Sequence, residues 1–236
     1  MRRLLSLAGV IALTGVLAAP TTSYAQQSVN FLVGGFVPHG ERGRDRNDVL
    51  RRNLNAGNDS LAFNINDFNG GTVAFEWLFP LGDVFEGGLG VGLYSRTVPS
   101  VYAFLENRNG SEIEQDLSLR MVPFTATVRW LPLGRHDAFT PYLGAGVHVT
   151  RFRYRESGQF VDVRNDIFED TFTATGAATA PLILGGARFP VGSKAELGGE
   201  VRYQSGLGDV SKEDNFLGTK IDLRGFSYLF TINVKF

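Results

Sequence analysis

Few residues in this chain are suited to chemistry. His148-Val149-Thr150 puts an imidazole and a hydroxyl two residues apart, so an extended segment would carry both on one face. A base beside a hydroxyl is the minimal nucleophile pair. Threonine, however, stands where such a strand motif would carry serine, and the alternation around it turns His148 to the more polar face, so a structural histidine is expected. His39 and His136 fall in a loop and a turn, far apart, and suggest no metal site. The absence of cysteine excludes disulfides, thiolate ligands and a lipidated amino-terminal cysteine. Asp166, Glu169 and Asp170, or Asp209, Glu213 and Asp214, could hold calcium weakly but lack the spacing of a dedicated calcium loop. The expectation is no catalytic residue, no resident metal and no cofactor.

Two charged sets remain. Arg42, Arg44, Arg46, Arg51 and Arg52 crowd one polar segment, in which 48–53 could form a short helical turn. Arginine forks match phosphate geometry, so contact with a phosphorylated surface is one reading; a solvated mixed-charge loop is the other. The second set is Glu76, Glu86, Arg129, Glu196, Glu200 and Arg202, with Arg188 by the same parity. These charges sit inside segments of alternating hydrophobicity, on the face opposite the apolar residues. Burying them is costly unless they pair. Either they form a salt-bridged plug, or they line a path gated by rearranging pairs.

The elements that must position these charges are strands of period two. The clearest is 226–236. Phe226, Tyr228, Phe230, Ile232, Val234 and Phe236 alternate with Ser227, Leu229, Thr231, Asn233 and Lys235. The same rhythm occurs over 29–37, 72–79, 85–93, 122–130, 142–149 and 195–203, and less regularly over 174–189, which makes eight segments. Phe79-Pro80-Leu81-Gly82, Leu131-Pro132-Leu133-Gly134 and Phe189-Pro190-Val191-Gly192 form an internal repeat. Proline cannot donate to a strand ladder and glycine permits turn geometry, so each copy predicts a hairpin turn. Four polar segments, 39–67, 99–116, 155–170 and 206–224, alternate with these turns. The inward glycines Gly88, Gly90, Gly92, Gly144 and Gly146 leave space either for bulky neighbours such as Tyr94 and Tyr142 or for a cavity.

The first 25 residues read differently. Arg2 and Arg3 precede an uncharged, mostly apolar stretch, Pro20 breaks it, and Ser23-Tyr24-Ala25 is a small-x-small cleavage site. This predicts a secretory signal peptide over 1–25 and a barrel domain over 26–236. Of the 23 basic residues, loss of Arg2 and Arg3 leaves 21 against 24 acids, and no basic excess points to nucleic acid. The longest uncharged stretch of the remainder, 171–187, is broken by threonine, glycine and proline and is too short for a spanning helix. Strands of about 9–11 residues are the other way to cross a membrane. The fold expected is an all-β, eight-stranded antiparallel up-and-down transmembrane β-barrel, with short periplasmic turns and four long extracellular loops. Trp77, Phe79, Phe85, Trp130 and Phe189, beside the short turns, then form an aromatic girdle.

The signal segment, the eight-strand rhythm, the run Pro141-Tyr142-Leu143-Gly144-Ala145-Gly146-Val147 and the aromatic Phe236 together resemble the small bacterial outer-membrane β-barrel superfamily. The likeness is to outer membrane protein beta-barrel domain proteins, near the outer membrane protein W family. It implies an outer-membrane address and contact with outer-membrane lipids and lipopolysaccharide. It also implies an assembly signal in Phe226, Tyr228, Phe230 and Phe236 that the barrel assembly machinery would read. Passage or binding of a small apolar ligand is a precedent within the W family. The His-x-Ser motif of outer-membrane lipid A deacylases is matched only by His148-Val149-Thr150. The function expected is a structural or surface-interaction barrel with a plugged lumen, with apolar transport as the alternative and lipid modification as the weakest reading.

Overall fold

A computed structural model describes residues 27–135, 138–162, 164–213 and 215–236. The segment 1–25, His136 and Asp214 lie outside the described residues. Eight long antiparallel strands close a ring. They are β1 (Ser28–Pro38), β3 (Gly70–Pro80), β4 (Phe85–Glu106), β5 (Glu112–Trp130), β6 (Thr140–Val161), β7 (Ile167–Pro190), β8 (Ala195–Gln204) and β11 (Gly225–Lys235). Each pairs with its sequence neighbour around the ring, and β11 closes on β1, from Ser28 opposite Lys235 to Pro38 opposite Gly225. Three short elements lie in the loops at the opposite end from Ser28 and Lys235: β2 (Leu61–Ala62), which pairs antiparallel with β4 at Val101 and Tyr102, and the hairpin of β9 (Leu207–Asp209) with β10 (Lys220–Asp222).

Alternation explains which face each side chain takes. Phe226, Tyr228, Phe230, Ile232, Val234 and Phe236 are all exposed on the outer face, whereas Ser227, Leu229, Thr231 and Asn233 are buried. At ~3.3 Å per residue and a tilt near 40°, the ten steps of that row rise ~25 Å, the height of a lipid-facing band. Phe31, Val33, Val73, Phe75, Leu89, Val91, Phe124, Val128, Val147 and Ile183 continue the exposed apolar surface around the ring. Water does not reward such a surface, and lipid does.

The repeated Pro-x-Gly segments sit at the hairpins, and Gly82, Gly134 and Gly192 have φ of 93°, 80° and 86°. That left-handed backbone favours glycine because an L side chain would strain it.

Two of the four polar segments carry strand rather than coil. β4 and β5 run on through 99–116, and β6 and β7 through most of 155–170, so the wall from β4 to β7 stands taller than the side formed by β1, β3, β8 and β11. β7 itself begins at Ile167, ahead of the expected 174. Above the apolar band the in–out alternation continues, but the apolar residues move from the outer face to the inner one. On β6, Val147 and Val149 point outward below, whereas Phe152 and Tyr154 point inward above, opposite outward Arg151 and Arg153.

Candidate functional site

The lumen is occupied in two layers. The lower layer lies toward the short turns. It holds Glu76, Glu86, Glu196 and Glu200 with Arg129, Arg188, Arg202 and Lys235, so four carboxylates face four cations. Arg129 is central. Its Nη2 lies 2.6 Å from Glu76 and 3.1 Å from Glu200, and its Nη1 3.7 Å from Glu86. Arg202 spans the same two acids, at 2.9 Å from Glu76 and 2.5 Å from Glu200. Arg188 joins Glu86 at 3.0 Å to Glu196 at 3.7 Å, and Lys235 closes on Glu196 at 2.5 Å. All six lumen residues singled out from parity are therefore brought into one layer.

Sequence reasoning named Tyr142 as a bulky neighbour of the inward glycines but missed that it and Asn233 pair with the charges of this layer. The Tyr142 hydroxyl donates to Glu200 at 3.0 Å, and its ring lies under Arg129 and Arg188, 5.4 and 5.1 Å from their guanidinium carbons. Asn233 donates to Glu196 at 2.8 Å. Inward glycines make the room. A Cβ at Gly90 would stand 2.6 Å from Glu76 Cγ, and one at Gly186 2.6 Å from the Tyr142 hydroxyl.

The upper layer is an apolar cork. The helix α1 (Val49–Leu54), the loop residues Ile65 and Phe68, and Val210, Ile221 and Leu223 from the last long loop drop into the mouth. There they meet Phe36, Tyr94, Leu117, Leu119, Met121, Phe152 and Tyr154 from the wall. Val49, Leu50, Phe68 and Ile221 are fully buried. The Tyr94 hydroxyl donates to the Phe68 carbonyl and ties the first loop to β4.

A polar clasp holds this cork. Arg44 pairs with Asp48 at 2.5 Å and donates to the Asp222 carbonyl at 3.0 Å. The Asp222 backbone N–H donates to Asp48 at 2.7 Å, and its carboxylate takes Arg224 at 2.5 Å. Asp48 also caps α1 by accepting from the Arg51 backbone N–H at 3.0 Å. Burial works to raise the Asp222 pKa, but hydrogen bonds from Arg224 and the nearby Arg44 guanidinium outweigh it and hold that carboxyl below its ordinary range. The five arginines of the first loop thus separate. Arg44 is buried in the clasp, Arg51 donates to the Arg44 carbonyl at 3.0 Å, and Arg42, Arg46 and Arg52 are exposed. The sequence signal for the cork was the apolar pair Val49-Leu50 directly after a capping Asp48.

Between the layers lies a cavity of about 30 Å³, lined by Glu76, Tyr94, Met121, His148, Arg202 and Gln204 among others. His148 and Thr150 both face inward. The imidazole Nε2 is 2.8 Å from the Ser205 carbonyl, which can only accept, so in the neutral ring Nε2 carries the proton. Nδ1 then accepts from the Thr150 hydroxyl at 2.7 Å. Both residues are buried and the adjoining space is small, so this pair reaches no lipid and ties β6 to the chain after β8.

No family model and no curated protein matches this chain by sequence. Among solved structures it is similar to Neisserial surface protein A, at 11% identity and TM-score 0.47, covering 92% of this chain and 100% of that one. It is also similar to the attachment invasion locus protein Ail of Yersinia pestis, at 10% identity and TM-score 0.43, covering 91% and 100%. Escherichia coli outer membrane protein W is similar at 16% identity and TM-score 0.39, covering 91% and 100%.

Proposed function

We propose that the chain is an exported outer-membrane barrel, closed at both levels of its lumen, that acts as a structural or surface-interaction protein rather than as a conduit. One observation carries this reading: a neutral layer of eight paired charges and an apolar cork fill the lumen at two levels, with a cavity of about 30 Å³ between them. A solute would have to break ion pairs in a low-dielectric lumen and expel the first loop as well. In this reading residues 1–25 are a cleaved signal peptide, and the outward aromatic row of β11, with Phe226, Tyr228, Phe230 and Phe236, engages the barrel assembly machinery. The exposed Arg42, Arg46 and Arg52 are the loop arginines free to meet lipopolysaccharide.

The apolar lining of the mouth is the observation that favours passage or binding of a small apolar molecule instead. In the present structure Leu50, Phe68 and Ile221 fill that lining, so an apolar ligand would have to displace α1. The test is single-channel recording of the barrel refolded into a planar bilayer. A folded, silent protein is expected. Stable steps in the wild-type protein, sensitive to the solute, would refute the closed barrel and make the Glu/Arg layer a gate.

A further inference from the structure

On the tall side of the wall, outward side chains form two rows across neighbouring strands. The first row is Val122, Arg151 and Ala177, and the next is Arg120, Arg153 and Thr175. Together they border an open groove of about 430 Å³ on the outside of β5, β6 and β7, with Gly176 also at its edge. Arg120 and Arg153 are directly opposite each other on adjacent strands. Like charges in that position repel, and among the described residues none of the three arginines has a carboxylate within 4.0 Å. A barrel could reduce that repulsion with an acid on the outward positions beside them; here those positions carry Thr175 and Ala177 instead, and their small size opens the recess.

The height of the groove is as informative as its charge. Val149, 42% exposed, is the last large apolar residue of the outer band on β6, and on β5 Phe124, 48% exposed, is followed only by the half-buried Val122. Arg151 follows Val149 by two positions, or ~6.6 Å along the strand. Three guanidinium groups without a carboxylate partner therefore stand just above the upper edge of the outer apolar band, on the side of the long loops, and are exposed on the outside of the wall.

We infer that the Arg120, Arg151 and Arg153 groove is a binding site for the phosphorylated headgroup of an outer-leaflet glycolipid, with Val122 and Ala177 against the first methylenes of its acyl chains. Guanidinium groups take phosphate oxygens in bidentate pairs, and a site at headgroup height presents them to a ligand anchored in the adjacent leaflet. This inference rests on the membrane placement proposed above. It places a headgroup site on the barrel wall that is separate from the exposed arginines of the first loop.

The experiment uses the whole barrel chain refolded with neutral phosphatidylcholine, alone or doped with bisphosphorylated lipid A or its dephosphorylated form. Lipid retained after mild detergent extraction is counted by native mass spectrometry. Wild-type protein is expected to keep bisphosphorylated lipid A and not the dephosphorylated form. R120Q/R151Q/R153Q, whose folding is checked by the heat-dependent shift in gel mobility, is expected to retain on the order of ten-fold less or lower. R42Q/R46Q/R52Q is expected to retain as much as wild type. Equal retention by the wall variant, loss in the loop variant instead, or indifference to the phosphates overturns the site. Displacement by millimolar inorganic phosphate would make it a free-phosphate site and overturn the lipid assignment. A wild-type barrel that fails to float with neutral vesicles overturns the membrane reading itself; one that floats but keeps no lipid A overturns the site alone.

Discussion

Replacing Arg129 by methionine is the sharpest perturbation of the lumen. Methionine keeps much of the length of the side chain and removes only the charge and its donors. The layer then carries four carboxylates against three cations, with Glu76 and Glu200 left to Arg202 alone and Glu86 to Arg188. Removing one member of a buried ionic set costs about 3–5 kcal/mol, because an uncompensated charge stays behind. Neutralising Glu200 in the same protein, as R129M/E200Q, restores the balance. Glu200 is the right partner because it loses a contact at 3.1 Å with Arg129 and, as glutamine, can keep its oxygen toward Arg202 while its amide N–H donates to the Tyr142 hydroxyl. The double variant should recover on the order of 1–3 kcal/mol relative to the sum of the single changes. The assay is guanidinium unfolding in lipid vesicles, followed by the fluorescence of the chain's two tryptophans, Trp77 and Trp130, with bilayer current recorded in parallel. A cost below about 1 kcal/mol for R129M, or additivity in the double variant, would refute the claim that these charges act as one desolvated layer. A conducting and stably folded R129M would show that the layer is the only barrier and that the cork does not seal.

Three further outcomes are expected. Gly90→Ala forces a methyl group against Glu76 and Thr125 and should cost about 1–3 kcal/mol by the same unfolding assay, whereas Gly40→Ala, with open space around it, should be near neutral. Leu50→Asp puts a charge into the fully buried cork and should release the first loop to protease while the barrel keeps its gel mobility; an uncut loop would contradict the docked arrangement. Because the folded pKa of Asp222 lies below its ordinary value of 3.8, the clasp should stabilise the loops fully above that pH and lose its contribution as the pH falls through the lower, folded value. Amide exchange of the first and last long loops, corrected for intrinsic rates, should therefore stay flat down to about pH 4 and rise below it; an increase already at pH 6 would assign the loss to another group.

The sequence by itself determined the ring and which face of each strand points outward. Lipid contacts a barrel strand on one face only, so a period-two pattern with exposed aromatics identifies both strand and face, as 226–236 illustrates. The Pro-x-Gly repeats marked the three hairpins because backbone chemistry alone restricts what can sit there. The same parity put Glu76, Glu86, Arg129, Glu196, Glu200 and Arg202 inside, where geometry leaves them little choice but to meet. Tertiary structure decided the rest. Above the apolar band, polar surroundings replace acyl chains outside and the cork replaces polar pairs inside, so the apolar residues move from the outer to the inner face between Val149 and Phe152, and a search for outward apolar residues stops there. That inversion is why 99–116 and 155–170 read as loops although most of their length is strand. It also masked Arg120, Arg151 and Arg153, whose meeting depends on cross-strand register rather than on any local spacing. Within the first loop, composition counted five equivalent arginines. Only long-range contacts with Asp222, 178 residues away from Arg44, turned one of them from a surface charge into the pin of the cork.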